Sequence, residues 1–159
     1  MSDRHNKRSS RLSERANKLI QSYAFGSSFL GYLPFPVVDA FGIMAIQRRM
    51  LFHLAKVYDV PFSRGLAKDL LKTLVGGVLS RAAIPMAIKI IPGIGALFGS
   101  AGMATFGGAS TYATGKVFQH HFERGGTLED FDPNKAEKEF EEELKKGIKL
   151  SREKEKKAR

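Results

Sequence analysis

Apolar residues along this chain recur at helical spacing and nowhere alternate cleanly with polar ones over the length of a strand. Leu12, Ala16, Leu19, Ile20, Tyr23 and Phe29 predict a first helix over about 11–30, ended by Gly31 and Leu33-Pro34-Phe35-Pro36. Pro36 suits the first turn of a second helix, expected from about Val37 to Tyr58, with Asp39 beside the positive helix end. After Val60-Pro61-Phe62, Ser63 is a candidate N-cap, with Phe62 as its staple, for a third helix over roughly 64–84. Pro85 interrupts or kinks that helix, and a shorter helical piece continues to Ile91. Pro92-Gly93 forms the next break, a long helix follows from about Gly95 to Phe122, and Gly125-Gly126 end it. The last helix, over about 134–155, is highly charged. Its stripe of Phe140, Leu144 and Ile148 is so narrow that the helix is expected to pack weakly or sit apart.

The pattern therefore predicts an all-α helical bundle. Two apolar helical hairpins are broken at Pro34 and Pro36 and at Pro92 and Gly93, and a charged C-terminal helix follows. Residues 1–10 read as a disordered basic arm, 11–126 as the hairpin core domain, and 127–159 as the charged helix and tail. Residues 33–41 and 90–98 share an apolar helix, a proline-centred reversal and a second apolar helix, which is a weak internal repeat.

Charge adds a preference in partners. The net charge is +10 from 26 basic and 16 acidic residues, which favours anionic lipid, nucleic acid or an acidic protein. Residues 1–18 hold six basic and two acidic groups, whereas residues 132–159 hold ten and eight. The arm is basic and the tail is a polyampholyte. No secretory leader is read, because the first apolar residues lie near Leu19.

Candidate chemistry is sparse. With no cysteine, disulfides, thiolate metal sites and cysteine nucleophiles are excluded. No phosphate-binding GxxxxGK[ST] loop, nucleophile motif, zinc-finger or RNA-recognition signature is present, so no catalytic, cofactor or metal residues are assigned and nucleic acid is not an expected partner. His120 and His121 are adjacent and point to different helix faces, and His53 is alone. Asp39 reads as a helix N-terminal residue or as an ionisable group on an ion path. Gln47, Arg48 and Arg49 read as a solvated face or as a contact for phosphate or an acidic partner.

The strongest feature is small-residue content. Ala96, Ser100, Ala104 and Gly108 recur every four residues, as do Gly107, Thr111 and Gly115, and Gly95 with Gly99 forms a GxxxG pair. Each helical glycine costs about 1 kcal/mol against alanine. Close approach of another helix is the usual compensation, either in lipid or in a tightly packed soluble bundle. Ala82 to Ala113 contains one charge, Lys89, and Leu19 to Gln47 contains one, Asp39. A spanning helix needs about 20 apolar residues. The arms of the first hairpin are too short to cross, which leaves a re-entrant wedge or a buried core, whereas the second hairpin is longer and could cross, with Arg81 near one end. Basic residues flank both hairpins, which favours entry and exit from the cytoplasmic side.

Tyr32-Leu33-Pro34-Phe35-Pro36-Val37-Val38-Asp39, Gln47-Arg48-Arg49-Met50-Leu51 and Leu54-Ala55-Lys56-Val57-Tyr58 resemble the bacterial YcjF-like domain of unknown function. So do Ile91-Pro92-Gly93-Ile94-Gly95, Ser110-Thr111-Tyr112-Ala113-Thr114-Gly115 and Phe122-Glu123-Arg124-Gly125-Gly126. The likeness covers about Ala16 to Gly147. It implies a helical, membrane-associated domain that often accompanies a small GTPase domain, here a separate chain, and it supplies no catalytic residues. The leading expectation is a non-enzymatic membrane module at the cytoplasmic face of a bacterial membrane. Its partners would be anionic lipid, a GTPase chain or further copies of itself. A soluble cytoplasmic helical adaptor and an oligomeric channel or transporter subunit are the alternatives.

Overall fold

A computed structural model describes the backbone of residues 2–30, 36–88 and 100–157, and side chains for 6–28, 42–78, 104–154 and 156–157. Among the described residues five helices make an all-α bundle: α1 (Ser2–Leu30), α2 (Pro36–Tyr58), α3 (Arg64–Ile88), α4 (Ser100–Glu123) and α5 (Pro133–Lys157). No strand occurs among the described residues.

α4 is the central helix, in contact with every other one. α1 runs antiparallel to it, with Ser13 beside Gln119, Ile20 beside Gly115 and Ser28 beside Gly108. α5 is also antiparallel to α4, pairing Glu139 with His120 and Gly147 with Ala109. α2 lies parallel to α4, with Gln47 beside Ser110 and Tyr58 beside Glu123. Ala16 and Ile20 of α1, Met50, Leu51 and Leu54 of α2, Leu71 and Leu74 of α3, and Val117 and Phe118 of α4 form a shared buried core. Leu128 and Phe131 from the α4–α5 connection close it, and Phe131 stacks on Phe118 at 4.1 Å between ring centres.

Local chemistry sets the helix ends. Ser63 Oγ accepts from the Leu66 amide at 3.4 Å, the N-cap arrangement expected for α3. Phe62 packs edge-on against Phe52 of α2, so it ties α2 to the turn. Asp132 Oδ1 caps α5 by accepting from the amides of Asn134 and Lys135, which places Pro133 at the first helical position. α2 and α4 end alike. The Val60 amide reaches Ala55 O and the Asp59 amide reaches Lys56 O; the Gly126 and Gly125 amides reach His121 O and Phe122 O in the same pattern. Both are Schellman ends, which need one left-handed residue. Gly125 supplies it at φ 83°, whereas α2 uses Asp59 at φ 57°.

Two expectations are corrected, those for α1 and α5. α1 begins at Ser2 rather than near Arg11, so the basic arm expected to be disordered is helical. It contains neither glycine nor proline, and extending an anchored helix costs far less than starting one. α3 runs through Pro85 to Ile88, so of the two outcomes open to that proline the helix continues rather than ends. α5 neither sits apart nor packs weakly: Phe140 is 1% exposed, and Glu137 and Glu143 are each 4% exposed.

Candidate functional site

The small residues of α4 form its seams with neighbouring helices. A Cβ at Gly107 would lie 3.1 Å from both Ile43 Cδ1 and Ser27 O. At Gly108 it would run into Ser28 Oγ, and at Gly115 it would lie 2.7 and 2.8 Å from Ile20 Cγ1 and Cγ2. These glycines admit α1, and at Gly107 also α2, within the same chain. Ala104 is buried as well. On the α5 side, a Cβ at Gly147 would stand 2.9 Å from Ala109 Cα, so the two backbones are nearly in contact there.

A buried polar layer crosses α1, α2 and α4 at the same level. Gln47, 1% exposed, donates through Nε2 to Ser110 Oγ at 3.2 Å and more weakly to Thr111 Oγ1 at 3.4 Å. Thr111 donates to Ser27 Oγ at 2.9 Å, and Ser27 donates to Tyr23 O. Gln47 therefore belongs to the core, whereas Arg48 and Arg49 beside it are exposed. Thr114 Oγ1 is buried without a hydrogen-bond partner among the described residues.

A second network joins the other end of α1 to α2 and α4. Lys116 Nζ donates to Asn17 Oδ1 at 2.9 Å and to Gln119 Oε1 at 2.8 Å. Gln119 Nε2 donates to Ser13 Oγ and to Glu123 Oε1, which also accepts from the Tyr58 hydroxyl at 2.8 Å. Burial holds the Lys116 ammonium below its ordinary pKa, partly offset by nearby glutamates. Burial and then the Glu123 contact push the Tyr58 phenol well above its ordinary value. Burial alone would raise Glu123, but hydrogen bonds from Gln119, Tyr58 and Ser13 outweigh it and hold the carboxyl below its usual range. The network is built to hold charge in place between helices.

The three histidines whose side chains are described act as clasps. His53 Nδ1 meets the Tyr23 hydroxyl at 2.7 Å, linking α2 to α1. His120 Nδ1 lies 2.6 Å from Glu139 of α5. His121 Nε2 lies between Thr127 O and Asp130 Oδ1, so that nitrogen carries the proton. Gly126 leaves the room this ring occupies. Among the described residues, no three His, Cys, Asp or Glu side chains gather as a metal site.

The remaining residues singled out in the sequence fall differently. Pro36 opens α2 and Ser100 opens α4, while the side chain of Asp39 lies outside the described residues. Pro34, Pro92, Gly93, Gly95, Ala96 and Gly99 also lie outside them. Gly147, Lys116 and Gln119 were not anticipated. The signal for Gly147 was present: a glycine on the Phe140–Leu144 face of a long helix demands the same explanation as those in α4. Among the described residues, no helix is long and apolar enough to cross a membrane.

The chain is 31% identical over 140 residues to magnetosome membrane protein 22 of Magnetospirillum gryphiswaldense, an alignment covering 86% of this chain and 72% of that protein. No solved structure matches it. A family model described as a domain of unknown function, DUF697, matches residues 3–146, which takes in nearly all of α1, all of α2 to α4 and the first half of α5. The protein belongs to the DUF697 family.

Proposed function

We propose that this chain is a non-enzymatic helical module that associates with a membrane from its cytoplasmic face and acts there with a separate GTPase chain or with further copies of itself. The observation that carries the reading is its 31% identity to a protein named as a magnetosome membrane protein. The sequence agrees: the stretches 19–47 and 82–113 contain one charged residue each, and a net charge of +10 favours an anionic lipid surface. The GTPase partner rests on the YcjF-like resemblance alone.

A soluble adaptor is the second reading. It is favoured by α4, whose glycines at 107, 108 and 115 are already filled by helices of the same chain rather than left open to another molecule. Flotation of the chain with anionic vesicles on a density gradient separates the two. The membrane reading expects the chain to float with the vesicles. Full recovery of the chain below the vesicles would overturn it and leave the adaptor.

A further inference from the structure

We propose that the last two turns of α1, from Ala24 to Leu30, form a strap that lifts from α4 when the chain meets a membrane, while the rest of the bundle stays folded. The assignment rests on the membrane reading above and names the part of the bundle that opens.

α1 is fastened in two different ways along its length. From Ser13 to Tyr23 it is pinned. Ala16 and Ile20 are fully buried in the shared core, Ser13 and Asn17 accept from Gln119 and Lys116, and the Tyr23 hydroxyl meets His53 Nδ1 at 2.7 Å. From Ala24 to Ser28 the hold changes character. Phe25 and Gly26 are exposed, Ala24 and Ser28 are half-buried, and the buried residue is Ser27. Contact with α4 runs here through backbone and hydroxyl groups. A Cβ at Gly107 would lie 3.1 Å from Ser27 O, and one at Gly108 would lie 3.1 Å from Ala24 O. Such an approach removes little apolar surface from water, so the term that pins Ile20 is weak above it. The α2 arm at the same level is held more firmly, with Ile43 buried and Gln47 bonded to Ser110.

Parting this seam orphans no hydroxyl donor on α1. Ser27 Oγ donates to Tyr23 O at 2.9 Å and Ser28 Oγ donates to Ala24 O at 3.2 Å, both within the helix. Those donors stay paired in apolar surroundings, where an unpaired one is costly. The strap gives up the bond that Thr111 Oγ1 donates to Ser27 Oγ at 2.9 Å. Thr111 can turn to the carbonyl of Gly107, one turn back along α4. The strap also belongs to the stretch 19–47, whose one charged residue is Asp39. Lifting it lets the first hairpin enter lipid as a wedge, while Ile20 and Tyr23 keep α1 on the bundle.

The test uses a chain that has neither cysteine nor tryptophan. Phe25→Trp puts a fluorescent reporter on the strap. Ser27→Cys with Thr111→Cys, added to it, sets two sulfurs where the oxygens stand 2.9 Å apart, so that oxidation closes a disulfide between strap and α4. The full chain is mixed with vesicles of phosphatidylcholine and phosphatidylglycerol. In the reduced form, tryptophan emission should shift to the blue and be quenched by brominated acyl chains. The oxidised form should lose both effects, and reductant should restore them. Ser27→Ala with Phe25→Trp has lost the tether to Thr111 and should reach half of the shift at a lower lipid concentration. Far-UV circular dichroism confirms that each variant keeps its helices. Equal shifts in the oxidised and reduced forms would overturn the strap and leave the membrane reading in place. So would a reduced form that floats with vesicles without a shift, or a higher lipid requirement for Ser27→Ala. Thiols that stay free under oxidant would overturn the closed seam from which the strap lifts. Failure of the Phe25→Trp chain to float with vesicles would overturn both readings.

Discussion

Gly115→Ala should change sign with the residue opposite it. In the wild type the new methyl would lie 2.7 Å from Ile20 Cγ1, 2.8 Å from Cγ2 and 3.2 Å from Cδ1. Ile20 is fully buried and branched at Cβ, so it cannot turn away cheaply. Overpacking of this kind costs about 1–3 kcal/mol. Alanine returns about 1 kcal/mol of helix propensity. The net effect is a loss of between about zero and 2 kcal/mol. Ile20→Ala alone should cost about 2–5 kcal/mol, because it opens a cavity against α4. In that background the methyl at 115 enters vacated space, the clash disappears, and Gly115→Ala should stabilise by about 1 kcal/mol. The coupling is then about 1–3 kcal/mol, well above the additivity error for independent sites. Urea unfolding followed by far-UV circular dichroism measures all four corners of the cycle, with stability read from midpoints at a constant slope. Additive effects, with Gly115→Ala stabilising both backgrounds alike, would refute the packing of α1 against the glycine face of α4.

Other consequences are equally direct. Gln47→Ala, which strips the buried layer of its donor to Ser110 and Thr111, should cost about 2–4 kcal/mol in thermal or chemical unfolding, while Arg48→Ala should stay within about 0.5 kcal/mol. Asp59→Gly should stabilise by up to about 1 kcal/mol, since a glycine enters the left-handed end of α2 without strain. The Tyr58–Glu123 pair makes stability depend on pH at both extremes. The raised Tyr58 pKa contributes stability below the ordinary tyrosine value, lost as pH rises through the raised one; the lowered Glu123 pKa contributes stability above the ordinary glutamate value, lost as pH falls through the lowered one. Denaturation midpoints across pH should show Tyr58→Phe flattening the alkaline fall and Glu123→Gln flattening both.

The helices were legible because their apolar positions keep a 3.6-residue period and their ends carry Pro36, Ser63 and Gly125. Ser63 was readable as a cap because its role is local. The extent of α1 was not, since the basic arm is a solvent-facing continuation of a helix anchored at Ala16 and Ile20. The place of α5 was misjudged for a related reason. Its docking uses Gly147 and the buried stems of Glu137 and Glu143, which a count of large apolar residues ignores. The glycines of α4 announced a close neighbour, but periodicity alone does not say whether that neighbour is lipid, a second copy or α1. Gln47 shows the same limit: it is indistinguishable from Arg48 and Arg49 in sequence, and only the register of α2 on α4 turns it inward.

Membrane association is tested most directly by a probe at the Pro92-Gly93 break. The chain has no cysteine, so Ile94→Cys creates a single labelling site in the apolar stretch between Ala82 and Ala113. With an environment-sensitive dye at that position, anionic vesicles should shift emission to the blue, and quenchers attached to acyl chains should quench it more than a water-soluble quencher does. An unchanged spectrum, with quenching only from water, would contradict insertion of the second hairpin.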